Sequence, residues 1–220
     1  MKFSALFNAA AYFSELFHCI EYALVKFSFN NIFKSSRLYS IIMNKRRCNW
    51  AGPDEIYIKY HDDEWGIPTH DDKELFEMLV LESFQAGLSW ITILKKRENF
   101  KKAFDDFNVE KVAGYDEAKV EELRLNEGII RHKGKITSAI NNAKRFIEIQ
   151  EEFGSFDEYI WGFTDGETIK AEYLTESELS KQISKDLKKR GMKFVGPTII
   201  YSYLESIGVI DNHQEDCFKY

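Results

Sequence analysis

Beyond Met43, apolar residues recur three or four positions apart along most of the chain, and they almost nowhere alternate one by one. The first spacing puts side chains on one face of an α-helix; alternation would mark a half-buried strand. In "DDKELFEMLVLE" the acidic start suits a helix N-terminus, and Leu75, Leu79 and Glu82 stand at i, i+4 and i+7, on one face. "SWITILKKRENFKKAF" continues helically, with Ile91, Leu94 and Phe104 as apolar positions. "KGKITSAINNAKRFIEIQEEFG" repeats the pattern at Ile136, Ile140, Ala143 and Ile147, and Gly154 stops it. "TESELSKQISKDLKKRG" opens with Thr175 and Glu178 at capping-box spacing. It closes on Lys188, Lys189 and Arg190, cations that favour the negative end of a helix dipole, with Gly191 beyond them. "GPTIIYSYLESIG" places Pro197 at a first helical position and Gly208 past the end. The expected class is all-α, without internal repeats or low-complexity linkers.

Residues 1–42 break this pattern. They are dense in Phe and Tyr and contain no Gly, Pro or Asp. Glu15, Glu21 and Lys26 interrupt every window of about 20 residues that a membrane span would need. No small-residue cleavage site follows an unbroken apolar core, as a signal peptide would require. The favoured reading is upstream sequence ahead of a start at Met43; an amphipathic helical appendage is the alternative. The expected organisation is therefore an atypical leader, 1–42, and one domain, 43–220. Composition adds three constraints. Hydrophobic residues make up 44% of the chain, enough for a core. Three cysteines cannot make a disulfide framework and point to an intracellular, cytoplasmic setting. A net charge of -6 argues against a surface coated in nucleic acid, while leaving room for a local basic face.

Three constellations carry candidate chemistry. Residues 175–208 read as helix, "GMKFVG" turn, helix, and the second helix begins at Gly196-Pro197. Its free N–H groups, with Lys193 in the turn and Lys188, Lys189 and Arg190 before it, suit a phosphate. An ordinary helical hairpin with a solvated basic end fits equally well. Lys95-Lys96-Arg97 and Arg131-His132-Lys133-Gly134-Lys135 are candidates for the same face. Second, Cys48 and His61 near the start of the body, with His213 and Cys217 at its end, make a complete Cys2His2 set for structural zinc. One helical turn would aim His213 and Cys217 at a single ion; scattered Cys and His without a metal role remain the alternative. Third, Glu82 is a carboxylate on an apolar face, and such a group is paired, hydrogen-bonded or functional. Trp50, Tyr60, Trp65 and Trp90 lie close in sequence. An aromatic box with one carboxylate suits a flat, cationic ligand that donates hydrogen bonds; on these residues alone the favoured alternative is a core helix with Glu82 snorkelling or salt-bridged at its edge and the Trp and Tyr rings as packing.

The stretches "RCNW", "YIKYHDDEWGIP", "LFEMLVLESFQAGLSWITILKKRENF", "GIIRHKGKI", "LKKRGMKFVGPTIIYSYLESIG" and "NHQEDC" resemble the 3-methyladenine DNA glycosylase I (TAG) family of the helix-hairpin-helix superfamily. They run in the family's order from about Met43 to Cys217 and touch none of residues 1–42. The resemblance implies a helix-hairpin-helix DNA glycosylase fold with a zinc clasp joining the N- and C-terminal parts of the body. It implies one structural Zn2+ on Cys48, His61, His213 and Cys217. It implies a base pocket of Trp50, Tyr60, Glu82 and Trp90, with Trp65 close by and Glu82 as the catalytic residue. DNA binding would fall to Gly87 and Leu88 at a wedging tip and to Lys193 and Gly196 in the hairpin.

The activity implied is hydrolysis of the N-glycosidic bond of 3-methyladenine in alkylated double-stranded DNA. The base flips into the pocket, free 3-methyladenine leaves and an abasic site remains. The protein would act as a monomer, away from membranes. The family lacks the catalytic aspartate that many hairpin glycosylases carry after the hairpin, so Asp211 and Asp216 receive no such role. Two rivals are a zinc-clasped module that binds alkylated bases without cleaving them and a zinc hydrolase. The latter needs an open metal position, which four protein ligands would close.

Overall fold

The apolar stretch around Glu82 becomes the central helix. In the computed structural model, which describes residues 45–171 and 174–220, it forms α2, Asp72–Gln85. The leader assigned to 1–42 lies outside the described residues. Asp71 caps α2 by accepting from Glu74 N at 3.0 Å, and every residue from Leu75 to Phe84 is buried. A helix expected to bury one face is thus enclosed on all sides. Burying each Leu or Phe contributes about 1.5–3 kcal/mol, so this segment anchors the unit formed by Arg47–Tyr220.

Before α2 come a single 3-10 turn, Asn49–Ala51, and α1, Glu55–Asp63. After it the chain builds α3, Trp90–Leu94, α4, Arg97–Ala103, α5, Val109–Ala113, and α6, Glu117–Leu125. Next come α7, Lys133–Phe153, α8, Phe156–Trp161, α9, Glu178–Lys189, and α10, Pro197–Ser206. The long α7 packs against α2, α5, α6 and α8, while α10 packs against α2 and α9. No helix among the described residues is long and apolar enough to cross a membrane.

Four local expectations are corrected. The single helix read through 90–104 divides at Lys95-Lys96, where Lys96 N bonds Ile93 O at 2.9 Å. Lys96 Nζ anchors the break to the carbonyls of Glu127 and Gly128. Ile93, not Ile91, is the buried isoleucine there. The capping box of α9 is Ser177 with Ser180 rather than Thr175 with Glu178; the two serines satisfy each other's backbone N–H, and the helix starts at Glu178. Finally, the fold is not wholly helical. Strand β1, Ile169–Lys170, pairs in parallel with β2, Ile210–Asp211. Two residues are too few to show an alternating pattern.

The end of α2 matters for the site. Its last carbonyls would be orphaned without partners. Lys135, 8% exposed on α7, donates to Phe84 O at 2.8 Å and Ala86 O at 2.6 Å. Burial lowers its pKa. The last of the "RHKGK" residues is therefore a buried helix cap, not part of a basic surface.

Candidate functional site

Helix α1 places Tyr60 and His61 side by side, both buried. Tyr60 faces a cavity of about 220 Å³, smaller than the ~300–1,000 Å³ typical for drug-sized ligands. Trp50, Trp65, Glu82 and Trp90 line the same cavity, so the structure brings all five expected pocket residues together. Trp50 and Trp65 meet edge to face at 4.8 Å between centroids. Tyr60 and Trp90 are 5.4 Å apart and tilted by 58°, so they form an angled wall rather than parallel jaws. Tyr57, three residues before Tyr60, also lines the cavity, and its hydroxyl accepts from Ile91 N at 3.1 Å. That bond holds the start of α3 and with it Trp90. The Trp90 indole N–H is buried without a hydrogen-bond partner among the described residues.

Two carboxylates on α2 are buried, Glu77 and Glu82. Glu77 is neutralised by Arg97, at 2.6 Å, and Lys101. Glu82 has no cation and no hydrogen-bond partner among the described residues, and it is 4% exposed. Burial, and secondarily the charge of Glu205, pushes its carboxyl up to about 8. Of the options left open above, pairing is excluded for Glu82 and holds instead for Glu77. A larger groove, about 470 Å³, is lined by Arg97, Glu64 and Glu77, which already satisfy one another.

The far ends of the body meet beside this cavity. Cys48 Sγ, His61 Nε2 and Cys217 Sγ belong to a buried group whose ligand atoms lie within 4.8 Å of one another. Cys217 Sγ is 3.4 Å from His61 Nε2. His213, the fourth expected ligand, falls outside that tight group; its ring stands 5.4 Å from that of His61, and its buried Nε2 has no hydrogen-bond partner among the described residues. Nδ1 of His61 bonds Asp62 at 2.9 Å, and Nδ1 of His213 bonds Asp211 at 2.7 Å. Residues 213–217 form a turn, closed by Cys217 N to Gln214 O, rather than the expected helical turn. Gly66 makes room for the His213 ring: a Cβ there would lie 2.6 Å from Cε1. Burial raises the Cys48 thiol to about 12, with Cys217 adding to the rise, and burial lowers both histidines.

The turn after α2 projects Leu88, 37% exposed. Gly87 has φ +77, a conformation L side chains resist, and a Cβ there would meet nothing within 4 Å. Leu88 N donates to Gln85 O, and Gln85 Nε2 returns a bond to Leu88 O at 2.9 Å. Gln85 also lines the cavity, so tip and pocket share a residue.

In the 190–196 turn, buried Asn142 clamps Lys193 by accepting from its N–H at 2.9 Å and donating to its carbonyl at 2.8 Å. Lys193 is exposed, as are Lys188 and Lys189. Gly196 has φ -67, and the left-handed residues of the turn are Gly191, at φ +91, and Phe194, at φ +56. A Cβ at Gly196 would still meet nothing, and no side chain caps α10. The two other basic clusters do not extend a free face. Lys95 pairs with Asp54, Arg97 with Glu64 and Glu77, Lys133 with Glu117 and Glu121, and Lys135 is buried.

Comparison with known proteins decides the family. The methyladenine glycosylase family matches residues 50–220. The chain is 45% identical over 180 residues to DNA-3-methyladenine glycosylase 1 of Escherichia coli (strain K12), covering 79% of this chain and 96% of that protein. This chain belongs to the methyladenine glycosylase family. A second relative, the DNA-3-methyladenine glycosylase of Haemophilus influenzae, is 41% identical over 177 residues, covering 78% of this chain and 96% of its own. The structure of 3-methyladenine DNA glycosylase I (TAG) from Staphylococcus aureus, solved to explain 3-methyladenine recognition, superposes with a TM-score of 0.76 at 39% identity, covering 78% of this chain and 95% of that one.

As a methyladenine glycosylase, the chain carries four cavity residues that sequence reasoning missed: Tyr57, Gln85, Ser202 and Glu205. Tyr57 was findable, since i, i+3 spacing shares a helix face with Tyr60. Glu205 was not: nothing local ties the end of α10 to Glu82.

Proposed function

We propose that this methyladenine glycosylase hydrolyses the N-glycosidic bond of 3-methyladenine in alkylated duplex DNA, taking the base into the cavity around Glu82. The observation that carries this reading is a buried, uncompensated carboxylate in an aromatic cavity sized for one base. Methylation at N3 makes adenine cationic and loosens its bond to the sugar. Glu82 opposes that charge and accepts from the exocyclic amine, and each aromatic face in contact adds about 0.5–2 kcal/mol of cation–π attraction. Uncharged adenine has the same amine but lacks the charge, so it gains neither the ionic attraction nor the cation–π contribution. An enzyme acting on a base must first take it out of the stack. Leu88, on its tied turn, fills the gap left behind. Water then attacks the sugar, leaving an abasic site and free 3-methyladenine.

The donor set suits zinc. Cys48, His61 and Cys217, with the buried Nε2 of His213, which has no partner among the described residues, would hold the ion with four ligands of the kind structural zinc takes. Asp62 and Asp211 fix the two rings from behind, as outer carboxylates do for metal-bound histidines. The ion would supply a cross-link, not chemistry. Trp50 follows Cys48 by two residues and Tyr60 precedes His61 by one, so the clasp would brace two walls of the pocket.

The hairpin turn serves as the phosphate grip, through the uncapped N-terminus of α10 and the exposed Lys188, Lys189 and Lys193. Lys193→Ala is expected to weaken binding to any duplex by similar factors and to flatten the dependence of log K on log salt by about one unit. Leu88→Ala should impair base extrusion, read by 2-aminopurine fluorescence, with the salt slope kept. Equal duplex affinity for wild type and Lys193→Ala at low and moderate salt would remove the hairpin from this account. The decisive assay for the function is release of 3-methyladenine from methylated duplex DNA. Tight binding of that duplex without release would instead favour a damage-sensing module.

A further inference from the structure

The pocket holds a second acid. Glu205, on α10, lines the same cavity as Glu82, on α2, and its Oε1 accepts from the buried Asn212 Nδ2 at 2.7 Å. We propose that Glu205 is a specificity-determining residue, which together with Glu82 presents two carboxylates to a cationic flat base and so discriminates it from a neutral one. This rests on the base-binding reading of the cavity given above.

The geometry leaves both acids without a counter-ion. Neither forms an ion pair among the described residues, although each is largely enclosed. The nearby ionisable groups do not relieve them. Tyr60, on α1, is held neutral by burial first and then by the charge of Glu82. Arg97, on α4, is committed to Glu64 and Glu77. Asp211, on β2, is held by Lys170 and His213. Burial pushes Glu205 up to about 7, with the Asn212 bond acting against it, and burial with Glu205 pushes Glu82 up to about 8. The empty pocket therefore retains protons near neutrality. An entering cation favours both ionised carboxylates and expels those protons, whereas neutral adenine does not. Selectivity comes from the charge of the pair, and Asn212 positions one member of it.

The test uses 3,9-dimethyladeninium, whose positive charge is fixed, titrated into the full chain and followed by tryptophan fluorescence. Between about pH 6 and 8, the logarithm of wild-type affinity is expected to rise with a slope between one and two, because two coupled protons leave. Glu205→Gln keeps the Asn212 bond but removes the charge. It should lower affinity at pH 8 about tenfold, reduce the slope towards one, and move its midpoint to lower pH, because the group raising Glu82 is gone. Glu205→Asp, which keeps the charge, should restore the steeper slope and confirms that charge rather than shape is read. Glu205→Gln with wild-type affinity and slope would overturn the proposal. So would equal losses for the cation and for neutral adenine, or a Glu205→Asp variant that behaves as Glu205→Gln does. Failure of wild type to bind the cation overturns it too. The excision reading is judged separately, by release of 3-methyladenine from methylated duplex with the same protein.

Discussion

Glu82→Gln is expected to weaken binding of free 3-methyladenine at least tenfold, about 1.4 kcal/mol, and to slow base release, without unfolding the protein. The carboxylate is enclosed and has no cation to lose, so its replacement by a neutral group of the same size removes a cost rather than an ion pair. The stability effect has a definite pH signature. The folded carboxyl is raised from the usual 4.5 to about 8. A raised pKa means that the protonated form is favoured in the folded state. Its stabilising contribution is complete below about pH 4.5 and is lost as pH climbs through about 8. Glutamine does not titrate. The wild-type melting temperature should therefore fall relative to Glu82→Gln across that window, and above it the variant should be the more stable protein. Calorimetry across the range, with fluorescence titration of 3-methyladenine reported by Trp50 and Trp90, measures both effects. Unchanged affinity accompanied by a large loss of stability would make Glu82 a structural residue and end the pocket reading.

Cys217→Ser is expected to strip the protein of zinc and to lower its melting temperature by roughly 10 °C. Losing a closed structural site costs several kcal/mol, and each kcal/mol is worth about 2–4 °C in a domain of this size. The reasoning starts from the chain ends: Cys48 and Cys217 are brought beside His61 by folding alone, and both are buried. Two thiols face an imidazole there, and burial makes the Cys48 thiol resist ionising up to about 12. Bound zinc must displace those protons, so metal retention should weaken as pH falls. Elemental analysis of the purified wild type and variant, with thermal melts of each, checks this. A wild type free of metal, or a variant with the same melting temperature, would refute the clasp.

Much of this was legible from spacing. The i, i+4, i+7 relation of Leu75, Leu79 and Glu82 set an acid among apolar residues. The motifs around it were enough to suggest the family to which the chain belongs. Where the reading failed, the missing information was tertiary. Arg131–Lys135 looked basic, yet Lys133 is paired and Lys135 caps α2 from inside the core. Thr175 and Glu178 had the spacing of a capping box, yet the helix starts only at Glu178 and is capped by Ser177 and Ser180, which satisfy each other's backbone N–H.

By itself the sequence determined which side chains share a face of their own helix, because that follows from 3.6 residues per turn. It thereby set the helical segments around Glu82, through 133–153 and through 175–208, and placed Glu82 among apolar neighbours. Tertiary structure alone decided which buried acid would be neutralised. Glu77 and Glu82 sit on the same helix and are equally buried, and only the packing of α4 beside α2 gives one of them Arg97. It alone also brought Glu205 to Glu82, because their separation is set by how α10 packs on α2, and no local periodicity encodes that. The physical reason is one of range: helical phase is a property of neighbours in the chain, whereas a carboxylate's charge state depends on whatever folding brings within a few ångströms of it.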